Sequence, residues 1–472
     1  MQKGRTRLFL ENFFIYGIGG AMSRLIPMLM LPVITRIYPS AEYIGLNDLN
    51  QTLISFAQSI AVCGMYDAMF RIFFDYDLIE KQKKICSSAL LFVLSTSSVL
   101  MAVFFLWRKQ IAAWYFGNEV YADLVVVTGG GFFLSALNQI LSTPTRIRNK
   151  RKIFLTVNTL SPLISYSICI PLILKGWYIY AMPVGTVIAA VLTCTIFGIM
   201  NKKYFRFSAF KLECLKELLK IGIPLMPNFL VYWVYNSADK IMITMLLGSS
   251  FTGVYAVAGK VGHISNLIYT AFSGGWLYFS YSTMKDEDQV QLKSDIFEYL
   301  GAISFASAIF VMGFSRLGFK VIFPESYMEA YRIVPYLFLA PLLLMLYQII
   351  ANQFSIVKKT YMNLCTLSIG AVGNIILNFG LIPKIGMEGA AIATIMGYAI
   401  SVTVCAVILK RMDLIKINSG VYGNLAILVL YYLIWRFLLR QNMLLSAGSA
   451  FLAVAYYTIR YWGKIKSMKK AL

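Results

Sequence analysis

A few ionisable side chains fall inside long apolar runs of this sequence. Arg24, Lys240 and Lys260 carry positive charge there, and Asp48, Asp239 and His263 lie in the same kind of surroundings. Ionisable groups in hydrocarbon are costly unless they face a partner or water, so each marks a functional position or a paired one. Arg24 sits about 11 residues into the first run, ~17 Å at ~1.5 Å per residue, too deep to reach either surface easily. Its alternative role is an ion pair or carbonyl contact made for packing. Pro27 and Pro32 follow it, so the first helix is expected to bend or open locally. As a set, Arg24, Lys240 and Lys260 would attract an anion, and a guanidinium matches phosphate oxygens two at a time. The residues alone leave a diphosphate and a carboxylate both open.

Polar neighbours extend this set. Tyr232, Asn236, Asp239 and Lys240 are spaced i, i+4, i+7 and i+8 and share a helical face. Asp239 and Lys240 are sequence neighbours pointing ~100° apart, so one of them needs a partner on another helix. In the second apolar run Asp48, Gln51, Ser55, Gln58 and Ser59 recur at helical spacing. Such a stripe faces a water-filled cavity or serves interhelical hydrogen bonding. Asp67 and Arg71 at the inner end of that run read as a solvated interfacial pair. His263, one turn beyond Lys260, is either a proton carrier or a hydrogen-bonded structural residue. Gly259, Gly262, Asn266 and Ser273 on a nearby face suit close helix packing.

The elements that position these residues are membrane helices. The 472 residues are 59% hydrophobic and only 14% charged, with mean hydropathy +0.69. Fourteen runs approach the ~20 residues needed to cross a ~30 Å hydrocarbon core: 13–37, 45–70, 87–107, 121–142, 153–174, 178–200, 221–247, 253–280, 297–315, 331–354, 361–382, 388–409, 421–440 and 443–462. The net charge of +22 would suggest nucleic acid in a soluble protein. Here the basic residues cluster between spans, as at Lys81, Lys83 and Lys84 or Arg146, Arg148 and Lys150. That pattern marks loops on the cytosolic side and places both termini there, with no nucleic-acid partner. The basic start leads into a full-length span, so no cleavable signal peptide is expected.

The chain divides into two similar halves. With a shift of 208 residues, SAEYIGL at 40–46 falls on GSSFTGV at 248–254, Arg151 on Lys359, and AMPVGTVIAA at 181–190 on GAAIATIMGY at 389–398. With one residue of slip, FGNEVY at 116–121 meets FPESYM at 323–328. The expected organisation is a six-helix bundle over 1–200, a cytoplasmic amphipathic linker helix over 201–220, a second six-helix bundle over 221–410, and two additional helices over 411–472. In the linker, Leu212, Leu215, Leu218 and Leu219 share one face, which suits a helix lying on the inner leaflet. Six spans per half, an even number, give both halves the same orientation in the membrane. Repeats of that kind are related by an axis along the membrane normal and put a substrate site between them.

Enzyme signatures are missing from the sequence: no Walker GxxxxGK[ST], no GxSxG, no HExxH, and seven dispersed Cys with one His. The reading is therefore of no enzyme, no cofactor and no metal site. Work against a gradient would draw on a proton or sodium gradient or on membrane potential. A membrane glycan polymerase should show a large external loop bearing Arg or His, and this chain has none.

The stretches LPVITRIYPSAEYIGL (31–46) and NSADKIMITMLLGSSFTGVYAVAGKV (236–261), with the duplicated layout, resemble the polysaccharide transporters. These are the Wzx-type flippases of O-antigen and capsule repeat units in the multidrug/oligosaccharidyl-lipid/polysaccharide exporter superfamily. The resemblance covers essentially the whole chain. It implies an all-α polytopic protein of the bacterial inner membrane, with two bundles around a cationic central cavity. It also implies alternating access for an undecaprenyl-diphosphate-linked oligosaccharide, within reach of membrane lipids and of the polymerase and chain-length regulator of the pathway. Arg24, Lys240, Lys260, Asn236, Gln51 and Gln58 would line the cavity, and Asp239, His263 or Asp48 would couple transport to an ion. Drug/cation antiporters of the superfamily keep a carboxylate in the first helix where this chain has Arg24, which weighs against a multidrug exporter. A peptidoglycan lipid-precursor flippase shares the basic cavity and stays open as an alternative.

Overall fold

The computed structural model describes residues 25–73, 78–148 and 150–471. Every regular element among them is helical. In chain order these are α1 (Leu25–Ile37), α2 (Ala41–Val62), α3 (Met65–Phe73), α4 (Ile79–Leu106), α5 (Arg108–Ile111), α6 (Ala122–Ile147), α7 (Arg151–Leu174), α8 (Ala181–Asn201), α9 (Leu212–Leu247), α10 (Ser249–Gly262), α11 (Ser265–Ser282), α12 (Gln289–Ile322), α13 (Val334–Ile356), α14 (Tyr361–Ile385), α15 (Met387–Arg411), α16 (Ser419–Ile434) and α17 (Met443–Ala471). Of the described helices, 11 are long and apolar enough to cross a membrane, or 12 when the bent pair α2 and α3 counts as one span. Of the other two expected spans, 13–37 is described only from residue 25, as α1, and 253–280 falls on the broken pair α10 and α11. The protein is a polytopic all-α membrane protein.

The helices repeat as the sequence does. α2 and α10 start at the 208-residue shift, and α7 with α14 and α8 with α15 start within two residues of it. The two short matching stretches form 3-10 turns, Glu119–Tyr121 before α6 and Glu325–Arg332 before α13. In each half the second span is interrupted, after Val62 in one and after Gly262 in the other.

The chain folds as two compact units, Met1–Gly253 and Val254–Leu472. In the first, α9 packs against α2, α3 and α4. Residues 212–220 are the first turns of this 36-residue helix, continuous with the seventh span rather than a separate linker helix. The reason is local. Leu218 is fully buried and Cys214, Leu215 and Leu219 pack on the same cluster as Met65, Met69, Ile72 and Ile85, so the apolar face that suited a leaflet is taken up by protein. Gly222 also meets Gly64 at the bend between α2 and α3. Gly64 has φ +69, and a Cβ added to it would stand 2.7 Å from the Gly222 Cα. Only a residue without a side chain fits both the left-handed backbone and this approach.

In the second unit α13 is the core. Its neighbours are α11, α12 and α15, and 89% of its spanning window is buried, which explains a run apolar on all sides. By contrast α14 exposes Ile369, Val372, Ile376 and Phe379 along one face. Apolar exposure at helical spacing is what a lipid-facing surface requires. Gly262, at the end of α10, lies so close to α13 that an added Cβ would be 2.9 Å from the Leu337 Cβ. The small residues of α10 are therefore packing residues, as their spacing suggests.

Candidate functional site

In the first unit, α2 and α9 bring together the most chemically unusual group. Lys240 Nζ lies 2.8 Å from Asp48 Oδ2, with both side chains largely withdrawn from solvent. Asp48 is thus the partner on another helix that the Asp239–Lys240 adjacency demands. Asp239 is buried as well, and its Oδ1 accepts from the Lys240 backbone N–H at 2.8 Å. Two carboxylates consequently stand near one ammonium, so Lys240 is a compensated cation.

α2 is held in place for this role by bonds to its backbone and side chains. Tyr115 Oη donates to the Leu49 carbonyl at 3.1 Å, and Trp233 Nε1 of α9 donates to the Thr52 carbonyl at 3.2 Å. Thr128 of α6 donates to Asn50 Oδ1 at 2.5 Å. One turn further in, Trp233 stacks at a tilt on Phe56 with ring centroids 4.6 Å apart. Gln58 Nε2 donates to Gln139 Oε1 on α6 at 2.8 Å, so this part of the polar stripe serves helix pairing. Ser55 and Ser59 donate back to the Thr52 and Ser55 carbonyls of their own helix. Gln51 is half-buried. Asn236 is exposed and donates to the Tyr232 carbonyl, so it parts from buried Asp239 although their spacing suggested one face. Arg24 lies outside the described residues.

At the N-terminal end of α2, Ser40 caps the helix by accepting from the Glu42 N–H at 3.2 Å. Glu42 Oε1 in turn accepts from Tyr121 Oη at 2.9 Å and from Ser249 Oγ at 3.3 Å. This knot ties the two repeated sequence stretches of the first unit together.

The second unit has its own polar centres. Lys260 is half-buried near the end of α10, and His263 sits in the turn that breaks α10 from α11, not on a continuous helix. Lys293 of α12 is 1% exposed and donates to Gln289 Oε1 at 3.0 Å and Gln353 Oε1 at 3.1 Å. Glu298 accepts from Asn418 at 2.9 Å and from Tyr461 Oη at 3.0 Å, joining α12 to the chain before α16 and to α17. Glu388 meets Arg436 at 3.2 Å and Arg440 at 3.4 Å and accepts from Tyr336 Oη at 2.9 Å. Sequence reading missed these three centres because each lies near a span end, where charges look solvated. The i, i+4 pair Arg436 and Arg440 in WRFLLR was the available signal.

Comparison with known proteins was informative at the level of family and fold. A family model described as "Polysaccharide biosynthesis protein" matches residues 33–332. An uncharacterised membrane protein of Methanocaldococcus jannaschii, MJ1068, is 26% identical over 368 residues, 71% of each chain. Among solved structures, the lipid II flippase MurJ in an inward closed conformation is similar with TM-score 0.73 at 16% identity, over 96% of this chain and 100% of that one. An inward-facing multidrug resistance MATE family transporter of the MOP superfamily is similar with TM-score 0.64 at 15% identity, over 84% and 98%. At these identities the structural likeness shows the fold. The chain has the fold of that superfamily and belongs to the polysaccharide biosynthesis protein family, as its resemblance to the polysaccharide transporters implies.

Proposed function

We propose that the protein flips an undecaprenyl-diphosphate-linked oligosaccharide repeat unit from the inner to the outer leaflet of the bacterial cytoplasmic membrane by alternating access. The family match supports a role in polysaccharide assembly, and the fold is shared with membrane transporters. The observation that carries the chemistry is the ion pair of Lys240 and Asp48 within a membrane-spanning unit. A diphosphate offers Lys240 the same kind of oxygen that Asp48 holds it with, so substrate and carboxylate compete for one ammonium. Protonation of Asp48 releases Lys240 to the substrate, and its deprotonation recaptures Lys240 and expels the substrate. Asp239 keeps a compensating charge close by throughout. In this reading Arg24, Lys260, Asn236 and Gln51 complete the substrate contacts, Gln58 supports them through its bond to Gln139, His263 is a second proton carrier, and both termini face the cytosol.

The test is export in cells dependent on this protein. Lys240→Gln and Lys260→Ala should abolish surface glycan and accumulate the lipid-linked intermediate, with export read per molecule of protein because Lys240→Gln leaves Asp48 uncompensated and lowers the protein level. Asp48→Asn should flatten the pH dependence of transport. Normal export by both lysine variants defeats the proposal.

A further inference from the structure

At the end of the first unit that carries the basic loops, α3 and the last turn of α6 border an open cavity of about 530 Å³ lined by Tyr66, Asp67, Phe70, Arg71 and Arg146. α3 has two faces. Met65, Ala68, Met69, Ile72 and Phe73 are buried in the unit, which leaves Tyr66, Asp67, Phe70 and Arg71 for the cavity. Arg146 is held by rings: its guanidinium lies 5.7 Å from the Tyr66 centroid, 5.9 Å from Phe70 and 5.7 Å from Phe154. It also donates to Tyr66 Oη. A guanidinium has five N–H donors, so one bond to Tyr66 leaves capacity for an anion, and ring packing fixes the fork before a ligand arrives. Helix α6 ends here, and its C-terminal dipole favours this cation in place.

We propose that this cavity is a binding site for the sugar-phosphate headgroup of a membrane lipid. Arg71 and Arg146 take the phosphate oxygens, Asp67 accepts sugar hydroxyls, and the faces of Tyr66 and Phe70 carry the apolar side of the sugar ring. The carboxylate is what separates this donor set from a plain anion site: Asp67 repels a bare phosphate and welcomes a hydroxyl-bearing one. The assignment rests on the transport reading for its choice of lipid, because the polysaccharide precursor is the glycolipid that the protein would meet. The cavity lies apart from the Lys240–Asp48 pair, near the membrane boundary where α3 ends, so it would capture the headgroup before translocation.

The test uses purified full-length protein in nanodiscs and a photoreactive undecaprenyl-diphosphate-N-acetylglucosamine as probe, with adducts mapped by mass spectrometry. Adducts are expected on the segment 65–73 and on 142–148. Arg71→Gln and Arg146→Gln should each cut their yield about tenfold, the loss of one charge-assisted bond, while Arg146→Lys keeps part of it. Asp67→Asn should lower the yield of this probe and raise that of photoreactive undecaprenyl phosphate, which has no sugar and loses a repelling charge; a lower or unchanged yield of the second probe overturns the role of Asp67. Excess phosphatidylglycerol, the competing phosphate source, should not displace the probe. Unchanged yield in both Gln variants, or full displacement by phosphatidylglycerol, overturns the assignment. Arg71 is exposed, so Arg71→Gln tests the site even if Arg146→Gln unfolds. Export by the Lys240 variant and adduct yield here are read separately, so either proposal can fail alone.

Discussion

Replacing Asp48 with Asn removes a charge 2.8 Å from the Lys240 ammonium. At an effective dielectric of ~20, the Coulomb attraction at that distance is about 6 kcal/mol before desolvation is counted. Removing one member of a buried pair costs about 3–5 kcal/mol, because the survivor is left uncompensated. Asp239, whose carboxylate accepts from the Lys240 backbone N–H, supplies part of the missing charge. The expected cost is therefore at the lower end, about 3 kcal/mol. The assay is unfolding by SDS titration in mixed micelles, followed by tryptophan fluorescence, for wild type, Asp48→Asn, Lys240→Met and the double variant. The double variant should be more stable than the sum of the single losses predicts, with a coupling of about 2 kcal/mol. Additivity within about 0.5 kcal/mol would mean that the pair holds nothing, and the exchange of carboxylate for diphosphate would lose its basis.

Other outcomes follow from the packing. Gly64→Ala places a methyl against Gly222 at a residue with φ +69, and should cost about 2 kcal/mol or more, seen as a lower melting temperature in detergent. Glu388→Ala leaves Arg436 and Arg440 without their carboxylate; a loss of about 3 kcal/mol should appear as low protein level, with transport per molecule unchanged. Burial pushes the Tyr327 phenol, in the 3-10 turn before α13, up to about 12. The unfolded chain ionises near the ordinary ~10, so stability should fall as pH rises from about 10 to about 12. Tyr327→Phe should remove that part of the slope in a pH series of melting temperatures.

How far sequence reached is clear from particular residues. Hydropathy placed the 11 or 12 spans found among the described residues because a ~30 Å apolar layer demands long runs. The 208-residue shift located the helix starts of both halves, since cap and turn residues such as Ser40 are written locally. Spacing showed that Asp239 or Lys240 needs a remote partner but could not say which, nor name Asp48, 192 positions before Lys240, because pairing across helices depends on rotation about each axis. For the same reason the bond of Gln58 to Gln139 was not legible from spacing. The leucine face of 212–220 fits lipid and protein equally well, and only packing against Met65 and Ile85 distinguishes them.

The unbroken run of α9 also has a mechanical meaning. Its 36 residues amount to ~54 Å of helix at ~1.5 Å each, far beyond a ~30 Å apolar layer. With Lys240 near one end, the opposite turns from Leu212 extend past such a layer, packed on α3 and α4. A displacement of that packed end reaches the charged pair through one rod, its hydrogen-bond ladder interrupted by Pro224 and Pro227.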